Sequence, residues 1–433
     1  MFTLYSIILT IGFVILSPRF LFQRKYTASL RQRFGHLPDF EANEKSVMWL
    51  HCVSVGETNA ARPLVKELKK NFPEYRLVIS TTTLTGQNLA REIYAEDAEL
   101  IFYFPFDWKF SVRRALRRIN PAVVLLMETE IWFNFVREAG KFGAKVVVVN
   151  GRLSEKSASR YALIPKTIQR VLQYFDLVLM QGQKDANRLV NLGIRGSKVK
   201  VTGNIKFDQA DGETESDLTK EFRERFAVSK DAPLIVAAST HAPEESLVLE
   251  AFKSVYRNAA TEKLPRLLIA PRHPERFAEV AQTIKSTGFD WARRGEEPST
   301  RDKNAEIILL DSIGELRSVY PLAEIVFVGG SLIPHGGQNI LEPASARKAI
   351  VSGFYTMNFE AIVKEFSSQN ALIQLPKLAE KDVSAKLAET FTELINDSKR
   401  RDKLAANAFR VLQSNRGATG KTVEHLRILM QPK

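Results

Sequence analysis

The stretch VMWLHCVSVGETNAARPLVKEL, residues 47–68, decides how the chain is read. It begins with an apolar run, VMWLHCV, and stops at a Ser-Val-Gly turn. Ala60, Ala61, Leu64, Val65 and Leu68 then recur at helical spacing. A buried strand that turns directly into a helix is the opening of a parallel α/β domain. Pro63 is tolerated only near a helix start, so the helix is expected to begin around Thr58 or Asn59, or to be kinked. The residue after Gly56 is Glu57, a carboxylate where an incoming phosphate would be repelled. Two roles fit it. It can stabilise the first helical turn, worth under ~1 kcal/mol, or act as a general base at the mouth of a cleft. The helix dipole favours the ionised form and weakens the base, so burial would have to compensate.

The same grammar repeats outward from this stretch. Apolar runs rich in β-branched residues recur at 76–81, 99–104, 122–128, 145–150, 176–181 and 198–203, with helix-like segments between them. Residues 207–222 turn acidic, polar and non-periodic, as a linker or a linker plus the start of a helix does, and the linker is placed at 208–231. The alternation restarts at 232–239, 265–271, 306–311, 324–330 and 349–353. Near-continuous apolar strands suit parallel sheets covered on both faces. We therefore expect two α/β domains of similar size, 44–207 and 232–400, with a cleft between them. Terminal helices over 401–433 are expected to pack back toward the first domain.

The formal net charge of +13 over 433 residues favours anionic partners. The basic residues are scattered, with only short clusters such as RRALRR (113–118), and aromatics do not interleave with them. That argues against nucleic acid. The single cysteine, Cys52, excludes an internal disulfide and a multi-cysteine zinc site, and reads as a small core residue. The start, MFTLYSIILTIGFVILS, carries no charged side chain, and FLF (20–22) could lengthen it. Arg19, Arg24, Lys25, Arg31 and Arg33 follow. Positive charge after the apolar run suits an N-terminal membrane anchor over 1–22 with the body on the cytoplasmic side, or a shallow interfacial helix.

Open parallel sheets bind ligands at the carboxyl ends of their strands. Candidate residues at such ends come from five places. Glu57 is the first. STTTLTG (80–86) offers hydroxyls, although a turn and N-cap accounts for them. METEIWFN (127–134) places Glu128 and Glu130 on one face if the strand continues, and Lys206 in TGNIKFD is a plausible partner. APRHPERF (270–277) puts Arg272 and His273 between two prolines, where an arginine suits a phosphate or carboxylate. FVGGSLIPHGGQNILEPAS (327–345) carries two glycine pairs before a helix expected near Asn339, with Glu342 in its first turn. No GxxxxGK[ST] is present, which argues against a P-loop kinase or ATPase, and the glycines are misplaced for a dinucleotide fingerprint.

Eight blocks, HCVSVGE, STTTLTG, METEIW, NGRLS, VTGNIKFD, STHAPEE, PRHPERF and GGSLIPHGGQNILEPA, in this order, resemble the 3-deoxy-D-manno-octulosonic acid (Kdo) transferases of lipid A assembly. The likeness covers nearly the whole chain after the N-terminal segment. It implies a GT-B glycosyltransferase: two Rossmann-like domains facing a cleft, membrane-associated, using CMP-Kdo as donor and a lipid A precursor as acceptor, with no metal or other cofactor. It implies an inner-membrane location with the catalytic domains in the cytoplasm. By the same resemblance Glu57 matches the catalytic base, and Glu128 and Lys206 match residues that stabilise the transition state. Pro271, Arg272, Ile313, Gly314, Glu315, Asn339, Ile340, Leu341 and Glu342 match the CMP-binding segments. Phe133 stands where the family usually has proline, and Gln338 and Ile340 where it usually has His and Pro. Two other readings fit the residues: a different nucleotide-sugar enzyme on this fold, such as an epimerase, or a non-catalytic protein of anionic lipid surfaces.

Overall fold

The computed structural model describes residues 2–22, 29–41, 44–209, 216–229, 232–258 and 264–431, with backbone only for 17–22. The chain divides into two compact units, Met1–Gln209 with Asn415–Lys433, and Ala210–Ser414.

In the first unit seven strands form one parallel sheet: β1 (Ser46–Cys52), β2 (Tyr75–Thr81), β3 (Leu100–Tyr103), β4 (Pro121–Met127), β5 (Lys145–Gly151), β6 (Leu177–Met180) and β7 (Val199–Val201). Their order is β3-β2-β1-β4-β5-β6-β7. Successive crossovers run one way from β1 and the other way from β4, so the β1/β4 junction is the switch point where such sheets take ligands. Alternate side chains of β1 feed different cores. Trp49 packs with Phe102, Val124 and Phe135 on one face, and Leu50 with Ile79, Val123 and Leu125 on the other. Cys52, the last residue of β1, is fully buried.

The segment after β1 forms two short helices, Val55–Ala60 and Arg62–Asn71. Pro63 sits in the first turn of the second. The first helix therefore starts three residues before the expected Thr58, because the proline interrupts a helix pair at Ala61 and does not mark the beginning. The C-terminal helix Ala418–Met430 also belongs to this unit. Its Ala418, Val423 and Leu426 join the core of Leu64 and Leu68, and Asp208 accepts from the Gly417 and Thr419 amides at 2.7 Å each.

The N-terminal helix, Phe2–Phe22, lies against the first unit. Tyr5 donates to Asp107 Oδ2 (2.8 Å), Asn134 Nδ2 to Ser6 Oγ (3.0 Å) and Trp108 Nε1 to Thr10 Oγ1 (2.9 Å). Phe133 stacks on Tyr5 at 5.0 Å between ring centroids, which gives the proline-to-phenylalanine departure a packing role. Among the described residues no helix is long and apolar enough to cross a membrane. The membrane anchor expected over 1–22 is therefore unconfirmed as a spanning helix, and Met1 and the side chains of 17–22 lie outside the described residues.

The second unit repeats the design with β8 (Leu234–Thr240), β9 (Arg266–Pro271), β10 (Trp291–Arg293), β11 (Ile307–Leu309), β12 (Ile325–Val328), β13 (Ala349–Ser352) and β14 (Ile373–Gln374). All pairs are parallel, in the order β10-β11-β9-β8-β12-β13-β14, with the switch point at β8/β12. The two edge strands, β10 and β14, were not expected; three and two residues are too short to show a period. Residues Asp217–Arg225, inside the expected linker, form a helix capped by Ser216 and tied to this unit by Thr219 Oγ1 donating to Ser318 O (2.9 Å).

Candidate functional site

In the first unit the expected residues stand at the ends of neighbouring strands. Ser54 caps the helix Val55–Ala60, accepting weakly from the Glu57 amide (3.4 Å). Glu57 returns the contact: Oε1 accepts from Ser54 Oγ (3.1 Å) and Oε2 from the Val53 amide (2.7 Å). The helix-start role is thus real, and it fixes the carboxylate in one orientation. It does not make the group a weak base. Burial pushes Glu57 up from 4.5 to about 8, helped by the charges of Glu128 and Glu130, and outweighs the Val53 and Ser54 hydrogen bonds.

Glu128 follows β4 with φ 55°, a left-handed backbone that ends the strand, so Glu128 and Glu130 do not continue one strand face as expected. Burial, then the Glu128 charge, raises Glu130. Glu128 is nearly buried and is held by Arg152, whose Nε lies 2.7 Å from Oε2. Lys206 lies in the short helix Ile205–Gln209 that follows β7. Burial lowers its ammonium, opposed by the fields of Glu128 and Glu57. Glu57, Glu128 and Lys206 therefore gather at one end of the sheet, at β1, β4 and β7. The direct ion pair of Glu128 is with Arg152.

The ends of β9, β11 and β12 carry the expected residues of the second unit. Arg272 is exposed, and its backbone amide is fixed on Thr240 O (3.0 Å). Ile313 is 80% exposed on the loop after β11. Glu315 is held below the ordinary carboxylate range by Arg294, 2.9 Å away, and Ser312, against its burial. Arg317 reaches Glu342 at 3.3 Å, linking two of the three segments. The helix begins at Leu341, two residues later than expected, and Asn339 Oδ1 accepts from the Leu341 amide (3.0 Å). Ile340, where proline was usual, is buried.

Several residues here went unassigned in the sequence. Arg152 was visible by the strand-end rule but carried no mark of its partner. Glu244, fully buried, accepts from the amides of His241, Gly330, Ser331 and Leu332. His241 lies 5.1 Å from His273 and 4.0 Å from His335 between ring centroids, and 3.0 Å from Gln338 Nε2. Burial, then the neighbouring imidazoles and arginines, lowers His241 to about 4, so its ring is neutral at pH 7. Among the described residues no group of three or more His, Cys, Asp and Glu side chains is arranged to hold a metal ion.

Residues 28–209 match a family model described as 3-deoxy-D-manno-octulosonic-acid transferase (kdotransferase). A 3-deoxy-D-manno-octulosonic acid transferase of Haemophilus influenzae is 32% identical over 407 residues, 93% of this chain and 92% of that protein. One from Chlamydia trachomatis serovar A is 28% identical over 98% of this chain and 96% of its own. Among solved structures, a glycosyltransferase from Rickettsia africae shares the fold: TM-score 0.57 at 15% identity, over 90% of this chain and all of that one.

Proposed function

Because the chain belongs to the 3-deoxy-D-manno-octulosonic acid (Kdo) transferase family, we propose that it moves Kdo from CMP-Kdo to a hydroxyl of a lipid A precursor, lipid IVA, without a metal ion. The observation that carries the reading is Glu57, a buried carboxylate with its pKa raised to about 8, in the field of Glu128 and Glu130 and felt by Lys206. A base works best when its pKa lies near the working pH. Glu57 takes the proton of the acceptor hydroxyl as that oxygen bonds to the anomeric carbon. The bond from that carbon to the CMP phosphate oxygen breaks, and CMP leaves with the electron pair. Glu128 and Lys206 stabilise charge developing at the sugar. Arg272, with Pro271, the loop Ile313–Gly314–Glu315 and the segment Asn339–Ile340–Leu341–Glu342, holds the CMP.

The same reading puts the protein on the anionic cytoplasmic face of the inner membrane. The N-terminal helix supports an interfacial position. Leu4, Ile7, Ile8, Ile11, Val14 and Ile15 recur at helical spacing and are between 50% (Ile7) and 70% (Ile15) exposed, while Tyr5, Ser6 and Thr10 bond to the unit beneath. Such a helix lies in the interface with its apolar row in the lipid.

Incubating the full-length protein with lipid IVA and a CMP-Kdo generating system, followed by mass spectrometry, tests the activity. A product heavier by Kdo is expected from the wild type and not from Glu57→Gln. A wild type that transfers nothing, or a fully active Glu57→Gln, sinks the reading.

A further inference from the structure

The ends of β4 and β5 meet at an ion pair that the proposed reaction leaves with no task beyond neutralising charge. Arg152 is the first residue after β5. Its backbone amide is fixed on Thr129 Oγ1 (2.9 Å), and its Nε donates to Glu128 Oε2 (2.7 Å). The Glu128 side chain is 11% exposed and that of Arg152 is 54% exposed. A guanidinium presents five N–H donors in one plane. Nε uses one of them, and among the described residues Nη1 and Nη2 donate no hydrogen bond. The inner edge of the guanidinium is anchored, while the outer edge is left uncommitted on a half-exposed side chain.

The neighbourhood selects what that edge can hold. In the sheet β5 follows β1 and β4, whose ends carry Glu57 and Glu128, and precedes β6 and β7, after which comes Lys206. A phosphate dianion would meet Glu57, Glu128 and Glu130 together. A single planar carboxylate would meet a matching fork, with Lys206 to offset its charge. In a sugar acid of the proposed donor's class the carboxyl carbon is bonded directly to the anomeric carbon. A base that reaches the attacking hydroxyl therefore also stands near the carboxylate, and a cation at a neighbouring strand end, paired with Glu128 as Arg152 is, has a ligand to hold.

The geometry points to Arg152 as the residue that holds the carboxylate of the incoming sugar acid, with Glu128 fixing the guanidinium's orientation. This rests on the Kdo-transferase reading. Unlike Glu57, Arg152 has no proton to move. Its contribution is to orient the anomeric carbon and to reject sugars that lack the acid.

The test is equilibrium binding, which does not need turnover. The full-length protein, with CMP present, is titrated with the methyl glycoside of Kdo and with its C1 carboxamide. The wild type is expected to prefer the acid by about tenfold or more, the worth of a charge-assisted pair. Arg152→Lys and Arg152→Gln are expected to lose that preference, and to raise KM for CMP-Kdo more than they lower kcat. Lys keeps a cation beside Glu128 without the fork, so Arg152→Lys carries the test if Arg152→Gln unfolds. A preference that survives in Arg152→Lys, equal weakening of acid and amide, or a wild type with no preference overturns the assignment. So does an effect confined to KM for phosphorylated over dephosphorylated acceptor. If the wild type prefers the acid through Arg152 but yields no transfer product, the carboxylate site stands and the transferase reading falls.

Discussion

The Tyr5 hydroxyl donates to Asp107 Oδ2 at 2.8 Å, joining residues 102 positions apart. The Asp107 carboxylate also accepts from the amides of Asn134 (3.1 Å) and Phe135 (2.7 Å). Burial pushes it up to about 7 in spite of these three donors. Tyr5→Phe keeps the ring stacked on Phe133 and deletes one donor to a buried acid, a loss of about 1–3 kcal/mol. Hydrogen exchange should show the helix from residue 2 to 16 opening more often, with β1 and β4 unchanged. Unchanged protection of that helix would mean that the hydroxyl does not seat it.

The exposed row of the same helix gives a second expectation. Ile8→Asp and Ile11→Asp lie on the outer face, away from Asp107, Asn134 and Trp108, so folding should be unaffected. Each should weaken binding to vesicles containing anionic lipid by about tenfold, from the apolar area no longer buried in lipid. Co-sedimentation that stays at the wild-type level would take the membrane role away from this row.

Glu57→Gln separates two effects of one carboxyl. The amide can still accept from the Val53 amide and donate to Ser54 Oγ, so the helix start is kept, while the base is lost. Turnover should fall by about 10²–10⁴-fold. In the wild type kcat/KM should rise with pH and level off above about 8, where Glu57 has lost its proton. Stability should move the other way. Glu57 titrates at about 8 in the folded protein against an ordinary 4.5, so between those values the folded state holds a proton that the unfolded chain has released. Stability therefore falls as pH rises from about 4.5 through about 8. Glu57→Gln should flatten that slope and melt higher than wild type at alkaline pH. Parallel melting curves across this range would mean that Glu57 is not buried as described.

The strands were legible because burial on both faces makes them continuous apolar runs, as at 146–149 in β5. The place of Glu57 was legible for the same reason: a strand that stops shows where its last residues go. The partner of Glu128 was not. Arg152 follows a different strand, and only the order β1-β4-β5 brings their ends together. The seating of the N-terminal segment was hidden for a related reason. Hydropathy registers the isoleucines, but what holds Tyr5, Ser6 and Thr10 lies about a hundred residues further on, at Asp107, Trp108 and Asn134. The break at Ala61 was half legible, since Pro63 announces an interruption without saying which side of it the first helix occupies.

Glu244 yields the sharpest expectation for the second unit. It follows β8, and its carboxylate gathers the ends of two adjacent strands. Oε2 accepts from His241 N (3.0 Å) and Gly330 N (2.6 Å), and Oε1 from Ser331 N and Leu332 N (2.9 Å each). Burial raises it above the ordinary range, and the four amides pull it back. Gln is a near isostere and still a poor substitute here. Its carbonyl oxygen can serve two of the amides, but its NH₂ faces the other two donor to donor. Two buried N–H groups left unpaired cost about 2–6 kcal/mol together. The loop they anchor leads to His335, Gly336, Gly337 and Gln338. Glu244→Gln should therefore lower the unfolding midpoint and weaken CMP binding, measured by calorimetry, while the first unit's Glu57 keeps its titration. A Glu244→Gln protein with wild-type stability and CMP affinity would show that the four amides find other partners and that the carboxylate does not set the loop.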